Sequence, residues 1–318
     1  MKPEFEYMWK LNGSEAFEVV TTLPKFLEIT ERFMQPRPKQ KNRFLFRGTS
    51  NDLEHGLLPS VARLRKHCPW LDREKLMHLE QASTDQFKNK GHLYLDARFL
   101  SRDPNAPAVA FDWWQLMQHH GAPTRLLDWT ESPFVALYFA VVKDQDRDGA
   151  VWMVDHGAHS DRMQELHPDQ FWYGQRSLKL LQTPIAAEMS LSTSLYFTPC
   201  ITPNERMVAQ HGWFSCASVL DTDHGDAIAE AFHLRHANRP GEWTRKLTVP
   251  NGAKPSLLRG LFRMNITGET LFPGLDGLGR AMAELPYLLE HEGDTDYLFE
   301  QGLLAARNLG RGNKDDSH

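Results

Sequence analysis

The sequence predicts an α+β protein: a single large domain with a central mixed or antiparallel sheet flanked by helices, preceded by a helical lead. Three observations predict it. Helix-like and strand-like segments alternate irregularly, which disfavours a regular βαβ array. The run Phe134–Val142 is apolar on all sides, so a helix there belongs at the centre of the protein. The 318 residues include 18 Phe, 9 Trp and 7 Tyr, enough to fill a large core and to exclude a disordered chain.

Along the chain, residues 14–34 carry Phe17, Val20, Leu23, Phe26, Leu27 and Ile29 at loosely helical spacing. Ser14 is the expected N-cap, and Pro24 is a restart point. A polar, Pro-punctuated connection runs from Pro36 to Asn42. RFLFRGTS then reads as a buried strand ending in a turn at Gly48. Residues 72–100 look helical and strongly charged, and 101–107 form a loop. VAFDWWQLMQHHGAP is a helix stopped by Gly121 in the left-handed cap position, with Pro123 two residues on. The next helix has matching start signals, Ser132 as N-cap and Pro133 at the first helical position. Strands are expected at AVWMVD, SLYFTP, GWFSCAS and KLTVP, and a short turn with a closing helix in GETLFPGLDGLGRAM. These assignments divide the chain into a lead (1–40), the main domain (41–282) and a C-terminal helix with a polar tail (283–318).

Composition bounds the function. The net charge of −5 excludes a broad basic footprint for nucleic acid but leaves room for a local basic patch. The start of the chain lacks the apolar run of a signal peptide, and nine apolar residues are about half the ~20 a spanning helix needs, so the expectation is a cytoplasmic protein without membrane contact. Cys68, Cys200 and Cys216 have neither C-x-x-C spacing nor an even count, so neither a disulfide frame nor a cysteine zinc site is expected. His233 and His236 stand three apart, but no spaced ligand set with a matching carboxylate appears, and no metal is expected. Walker, G-x-G-x-x-G and G-x-S-x-G signatures are absent.

Three segments could carry chemistry. Gln118 to Thr130 joins two buried helices and reads as a buried loop, which must satisfy its own backbone. Thr124, Arg125, Asp128 and Thr130 suit that work, with Arg125 and Asp128 pairing to lock it. The functional alternative uses the amides at the Ser132 helix start to hold a phosphate, with His119, His120 and Arg125 lining the same crevice. Arg47 places a rigid donor fork beside Gly48, suited to a phosphate, carboxylate or carboxamide, or else to a structural ion pair. Arg206 and Gln210, four apart in NERMVAQHGWF, either bind a polar ligand jointly or form a polar helix edge.

Phe46-Arg47-Gly48, HHGAPTRLLDWTESPFVALYFAV, NERMVAQHGWF and TLFPGLDGL, in this order from about 43 to 282, resemble the FRG domain. That resemblance implies a bacterial or phage protein of toxin or phage-defence systems, with an antidote protein as a partner, and a remote relation to ADP-ribosyltransferases. By that relation NAD is the expected nucleotide ligand, and a protein or nucleic acid the acceptor. Arg47-Gly48-Thr49 would grip it, assisted by His120, Thr124, Arg125, Asp128 and Ser132, and Arg47, His119 and Gln210 would serve the chemistry. Ser192-Thr193-Ser194 matches the strand motif of the Arg-Ser-Glu class. The pattern then breaks, because the E-x-E at Glu4-Phe5-Glu6 stands at the wrong end of the chain and no Q-x-E exists. Gln210 could orient a substrate but cannot supply the missing negative charge. The alternative is a non-catalytic module that binds a nucleotide or a protein.

Overall fold

The computed structural model describes residues 17–37, 43–52, 56–91, 93–95, 107–166, 194–200, 205–236 and 243–289. Ser14, Ser192, Thr193, most of the loop before Pro107 and the polar tail lie outside them. The described residues form the expected α+β fold, a seven-stranded mixed sheet with helices on both faces.

The strands are β1 (Phe17–Val19), β2 (Phe44–Thr49), β3 (Leu126–Thr130), β4 (Gly149–Asp155), β5 (Leu195–Pro199), β6 (Gly212–Ala217) and β7 (Thr244–Val249). Their order across the sheet is β1-β7-β4-β2-β3-β6-β5. Every pairing is antiparallel except β1 with β7, which is parallel. The helices are α1 (Leu23–Phe33), α2 (Ser60–Arg63), α3 (Arg73–Gly91), α4 (Pro107–His119), α5 (Pro133–Val141), α6 (His156–Leu166), α7 (Glu205–Ala209), α8 (His224–His236), α9 (Lys254–Arg263), α10 (Gly268–Leu271) and α11 (Leu275–Leu288).

Two expectations are corrected. The stretch from 14 to 34 is not helical throughout: Phe17–Val19 adds an edge strand, and the helix begins at Leu23 with Thr22 as its cap, its side chain accepting from the Lys25 amide. Pro24 sits in the first turn, as a restart requires. The second correction concerns 118–130, whose latter half is strand β3 rather than loop. There the alternation is buried on both sides: Leu126 meets the α4 core with Phe214 and Cys216, while Leu127 and Trp129 enter the core under the opposite face. A strand buried on both faces loses the polar alternation that would have disclosed it.

Helix α5 behaves as its sequence demands. Ser132 caps it, and Val135, Ala136, Leu137, Tyr138, Ala140 and Val141 are buried. It lies unusually close to the sheet, because a Cβ on Gly48 would come within 1.8 Å of the Ala136 carbonyl oxygen, and one on Gly149 within 2.3 Å of that of Ala140. The glycine of the Phe46-Arg47-Gly48 motif is therefore a seat for a helix backbone.

A second lock is ionic. Lys254 is fully buried, and its ammonium donates to the carbonyls of Ser50 (2.7 Å), Asp144 (2.8 Å) and Lys143 (3.0 Å). It ties the end of β2 to the turn after α5, where Asp144 adopts a positive φ of 46°. Lys254→Met keeps the stem but leaves three carbonyls without their donor, and is expected to cost about 3 kcal/mol. Chemical denaturation checks this, and a change below about 1 kcal/mol would show the ammonium to be replaceable by water.

Candidate anion-binding cleft

The sheet is divided where its two halves meet. β2 and β4 pair over six residues from Phe44 to Thr49, and β3 and β6 pair over all of Leu126–Thr130. Between β2 and β3 one pair is in register, Phe46 opposite Thr130. A continued ladder would set Gly48 against Asp128. Instead the guanidinium of Arg47 enters the gap, its Nη1 donating to the Asp128 carbonyl at 2.6 Å.

A cleft of about 770 Å³ opens here. Its walls come from the end of β2, the C-terminal half of α5, Phe272 after α10 and one side of α11. Arg47, Arg63, Lys143, Arg206 and Arg280 line it against the carboxylates Asp276 and Glu284, so cations prevail in an acidic chain. Arg280 and Arg206 stack on the ring of Phe272, at 4.0 and 4.7 Å from its centre. Burial pushes the Arg47 guanidinium down to about 10, partly opposed by Asp128 and reinforced by Arg63. It stays charged at neutral pH. Its Nε and the hydroxyl of Thr49, both on the cleft wall, are buried without a hydrogen-bond partner. Burial lowers Arg206 as well, with Asp128 opposing and Arg280 adding to the effect.

Glu284 is the buried carboxylate of the wall, 4% exposed. It accepts from the Tyr138 hydroxyl at 2.5 Å through Oε1 and from the Gly268 amide at 3.2 Å through Oε2. Burial first, then Glu284, drives the Tyr138 hydroxyl far above its ordinary range, so it remains a donor.

The structure distributes the sequence-derived candidates unevenly. Arg47, Gly48 and Thr49 line the cleft. Arg206 does so too, whereas its helical neighbour Gln210 is buried beside it as a strut, donating to the Leu271 carbonyl and receiving the Thr130 hydroxyl on its own. His119 is half-buried and packs edge-on against the exposed His120. Burial, then Arg206 and His120, hold His119 below its ordinary value and hence neutral at pH 7.

Thr124 is wholly buried and binds Ser60, Gln118 and the Leu126 amide. Asp128 accepts from Gln118, and the expected Arg125–Asp128 pair gives way to Arg125–Glu80, with Nε to Oε2 at 2.9 Å. Arg125 also lies 4.9 Å over Trp114, within the α3–α4 core. At the start of α5, the Ser132 amide donates to Thr130 and the Ser132 hydroxyl accepts from Val135, so the chain caps this helix itself. Ser194 is buried, its amide held by the Ser218 hydroxyl.

Sequence reasoning missed Arg63, Lys143, Phe272, Arg280 and Glu284. Phe272 stands inside TLFPGLDGL, and Gly277 of that block abuts the Phe272 carbonyl, where a Cβ would come within 1.7 Å. The spacing of that aromatic and that glycine was the available signal. Among the described residues no group of His, Cys, Asp or Glu could hold a metal, and no helix is long and apolar enough to cross a membrane.

Residues 42–149 match the family model of the FRG domain. No curated protein and no solved structure matches the chain. The matched segment carries Arg47, Gly48, Thr49, Arg63 and α5, while Arg206, Phe272, Arg280 and Glu284 lie beyond it.

Proposed function

Because this chain carries an FRG domain, we propose that the domain binds a dinucleotide, NAD, in the cleft at Arg47. The observation that carries this reading is the convergence of Arg47, Arg206 and Arg280 with Phe272 in a cleft of about 770 Å³. That volume suits a dinucleotide-sized ligand. The planar donor forks suit the two phosphates, Phe272 holds two of them in place, and Phe139 offers apolar wall to a ring. The Arg47 Nε and the Thr49 hydroxyl supply further polar contacts that the chain itself leaves unused.

The reaction this ligand supports is cleavage of its nicotinamide–ribose bond. Nicotinamide leaves with the bonding pair, the ribose carbon becomes cationic, and an acceptor hydroxyl or water adds to it and loses a proton. Glu284 is the carboxylate at hand to face that cationic carbon, a role the sequence motifs left unassigned. We place this activity in a bacterial toxin or phage-defence setting, as an extension of the family resemblance. A second reading, binding without turnover, is favoured by one observation: both Glu284 oxygens already accept hydrogen bonds within the protein.

Binding and turnover separate experimentally. NAD is expected to raise the melting temperature, and Arg47→Ala to weaken binding by about 1.5–3 kcal/mol, roughly ten- to a hundredfold, beside a stability loss of about 1 kcal/mol for the bond to the Asp128 carbonyl. Nicotinamide release that Glu284→Gln abolishes while NAD still binds supports the transferase reading. Binding with no release over hours leaves the module. Melting indifferent to millimolar-range NAD refutes both.

A further inference from the structure

Leu45, Trp129, Trp213 and Ala217 share the core under α8, so by strand alternation Arg47, Thr49 and Ser215 project from that same face of the sheet. A hydrogen-bonded relay crosses it. The Trp129 indole can only donate, and it donates to the Ser215 hydroxyl at 2.7 Å. Ser215 is wholly buried, and among the described residues the acceptor for its own proton is His224 Nδ1 at 2.8 Å. The direction of the relay is thereby fixed: Nδ1 accepts, and Nε2 carries the ring proton. His224 is wholly buried too, and its Nε2 has no hydrogen-bond partner among the described residues. Burial, and then the charge of Arg47, hold this ring down at about 3, so it is neutral at pH 7 and offers one unspent donor.

Buried donors without partners are costly to a fold, and Arg47 gathers three such groups around itself. They are its own Nε, the Thr49 hydroxyl two residues on along β2, and His224 Nε2, whose ring feels the guanidinium charge. Two of them can only donate and the third can donate as well. What satisfies them together is an acceptor, and the guanidinium favours an anionic one. The neighbouring carboxylates are engaged elsewhere. Asp128 lies on the opposite face of β3 and accepts from Gln118, while Asp223 accepts the amides of Gly225 and Asp226. Arg47 and Thr49 line the cleft, which supplies the way in. We propose that His224 Nε2, Arg47 Nε and the Thr49 hydroxyl form an inner subsite that holds a phosphate oxygen. The subsite deepens the reading of the cleft and rests on it for one of two sources of that oxygen, the diphosphate of a dinucleotide. Free phosphate is the other.

The test uses the full chain, with inorganic phosphate, pyrophosphate and NAD as separate probes in calorimetry and melting temperature as control. Thr49→Val removes a hydroxyl that the protein itself leaves unpaired, so the free variant is expected to melt no lower than the wild type. Its affinity for the probes is nonetheless expected to fall about tenfold, the scale of one hydrogen bond to a charged group. A hydroxyl with a purely structural role would give the reverse, a lower melting temperature and unchanged binding. His224→Phe keeps a ring but no donor and should weaken binding roughly ten- to a hundredfold. It also strands the Ser215 proton, so if it fails to fold, Thr49→Val decides alone. Weaker binding of all probes in the variants supports the subsite. Weaker binding of phosphate and pyrophosphate, with a wild type that ignores NAD, supports the subsite and removes the dinucleotide reading. NAD binding that depends on Arg47 but is indifferent to Thr49→Val and His224→Phe overturns the subsite and leaves the cleft reading standing. Absence of saturable binding of any probe in the millimolar range overturns both.

Discussion

Gly48→Ala is expected to destabilise the protein by about 3 kcal/mol or more, at the upper end of what overpacking costs. The added methyl would stand 1.8 Å from the Ala136 carbonyl oxygen and 2.8 Å from the Ala140 amide nitrogen, both backbone atoms of α5. Backbone in a helix seated against the sheet cannot step aside as a flexible side chain does. To admit the methyl, α5 must lift off the sheet and loosen its contacts with Phe46, Val151 and Met153, which share its core. A urea titration with Arg47→Ala in parallel separates the two halves of the motif. The alanine at 48 should lower the midpoint sharply, while that at 47, which gives up one hydrogen bond to the Asp128 carbonyl, should lower it less and weaken ligand binding. Equal midpoints for Gly48→Ala and the wild type would show that the close approach of α5 does not set the fold.

Glu80→Gln is expected to cost about 3–5 kcal/mol, the usual penalty for stranding one charge of a buried pair. The side chains of Arg125 and Glu80 are 5% and 3% exposed. Around them the Trp114 indole donates to the Thr84 hydroxyl at 3.1 Å, and Thr84 in turn donates to the Glu80 carbonyl at 2.7 Å. The pair thus joins α3 to the strand entry at Leu126 through a network of buried donors. Glu80→Leu combined with Arg125→Met should recover most of the loss, since replacing both charges removes the desolvation problem altogether. A double-mutant cycle reads the coupling directly. Additive single losses, with no recovery in the double variant, would mean that the charges do not act as a pair.

The two substitutions also mark what was legible in the sequence. Capping chemistry was readable: Ser132, Pro133 and Gly121, whose φ is +81°, stand where their side chains and backbone freedom place them. Strands with a polar boundary were readable too, as at Gly149–Asp155 and Thr244–Val249. Strand β3 was hidden, because Leu126, Leu127 and Trp129 are apolar on both faces and periodicity has nothing to contrast. Arg125 and Arg206 are both arginines in apolar surroundings, and only tertiary contact separates the one held by Glu80 from the one that faces the cleft. Local rules carry no signal for a partner 45 residues upstream. Glu284 escaped for a similar reason. No motif surrounds it, and its place in the cleft follows from α11 packing on α9 and α10, which brings it to the Tyr138 hydroxyl of α5.

A sheet joined at one rung is mechanically two plates on a hinge. One plate comprises β1, β7, β4 and β2, the other β3, β6 and β5, and Phe46 opposite Thr130 is the pin. The clasp across the open side is a side chain, the Arg47 bond to the Asp128 carbonyl. An anion that draws this guanidinium to itself competes with the clasp, so occupancy and the angle between the plates become linked quantities. Whatever binds more tightly to one angle must, by reciprocity, favour that angle in return. A single charged fork thereby sets both the chemistry of the opening and the stiffness of the frame around it.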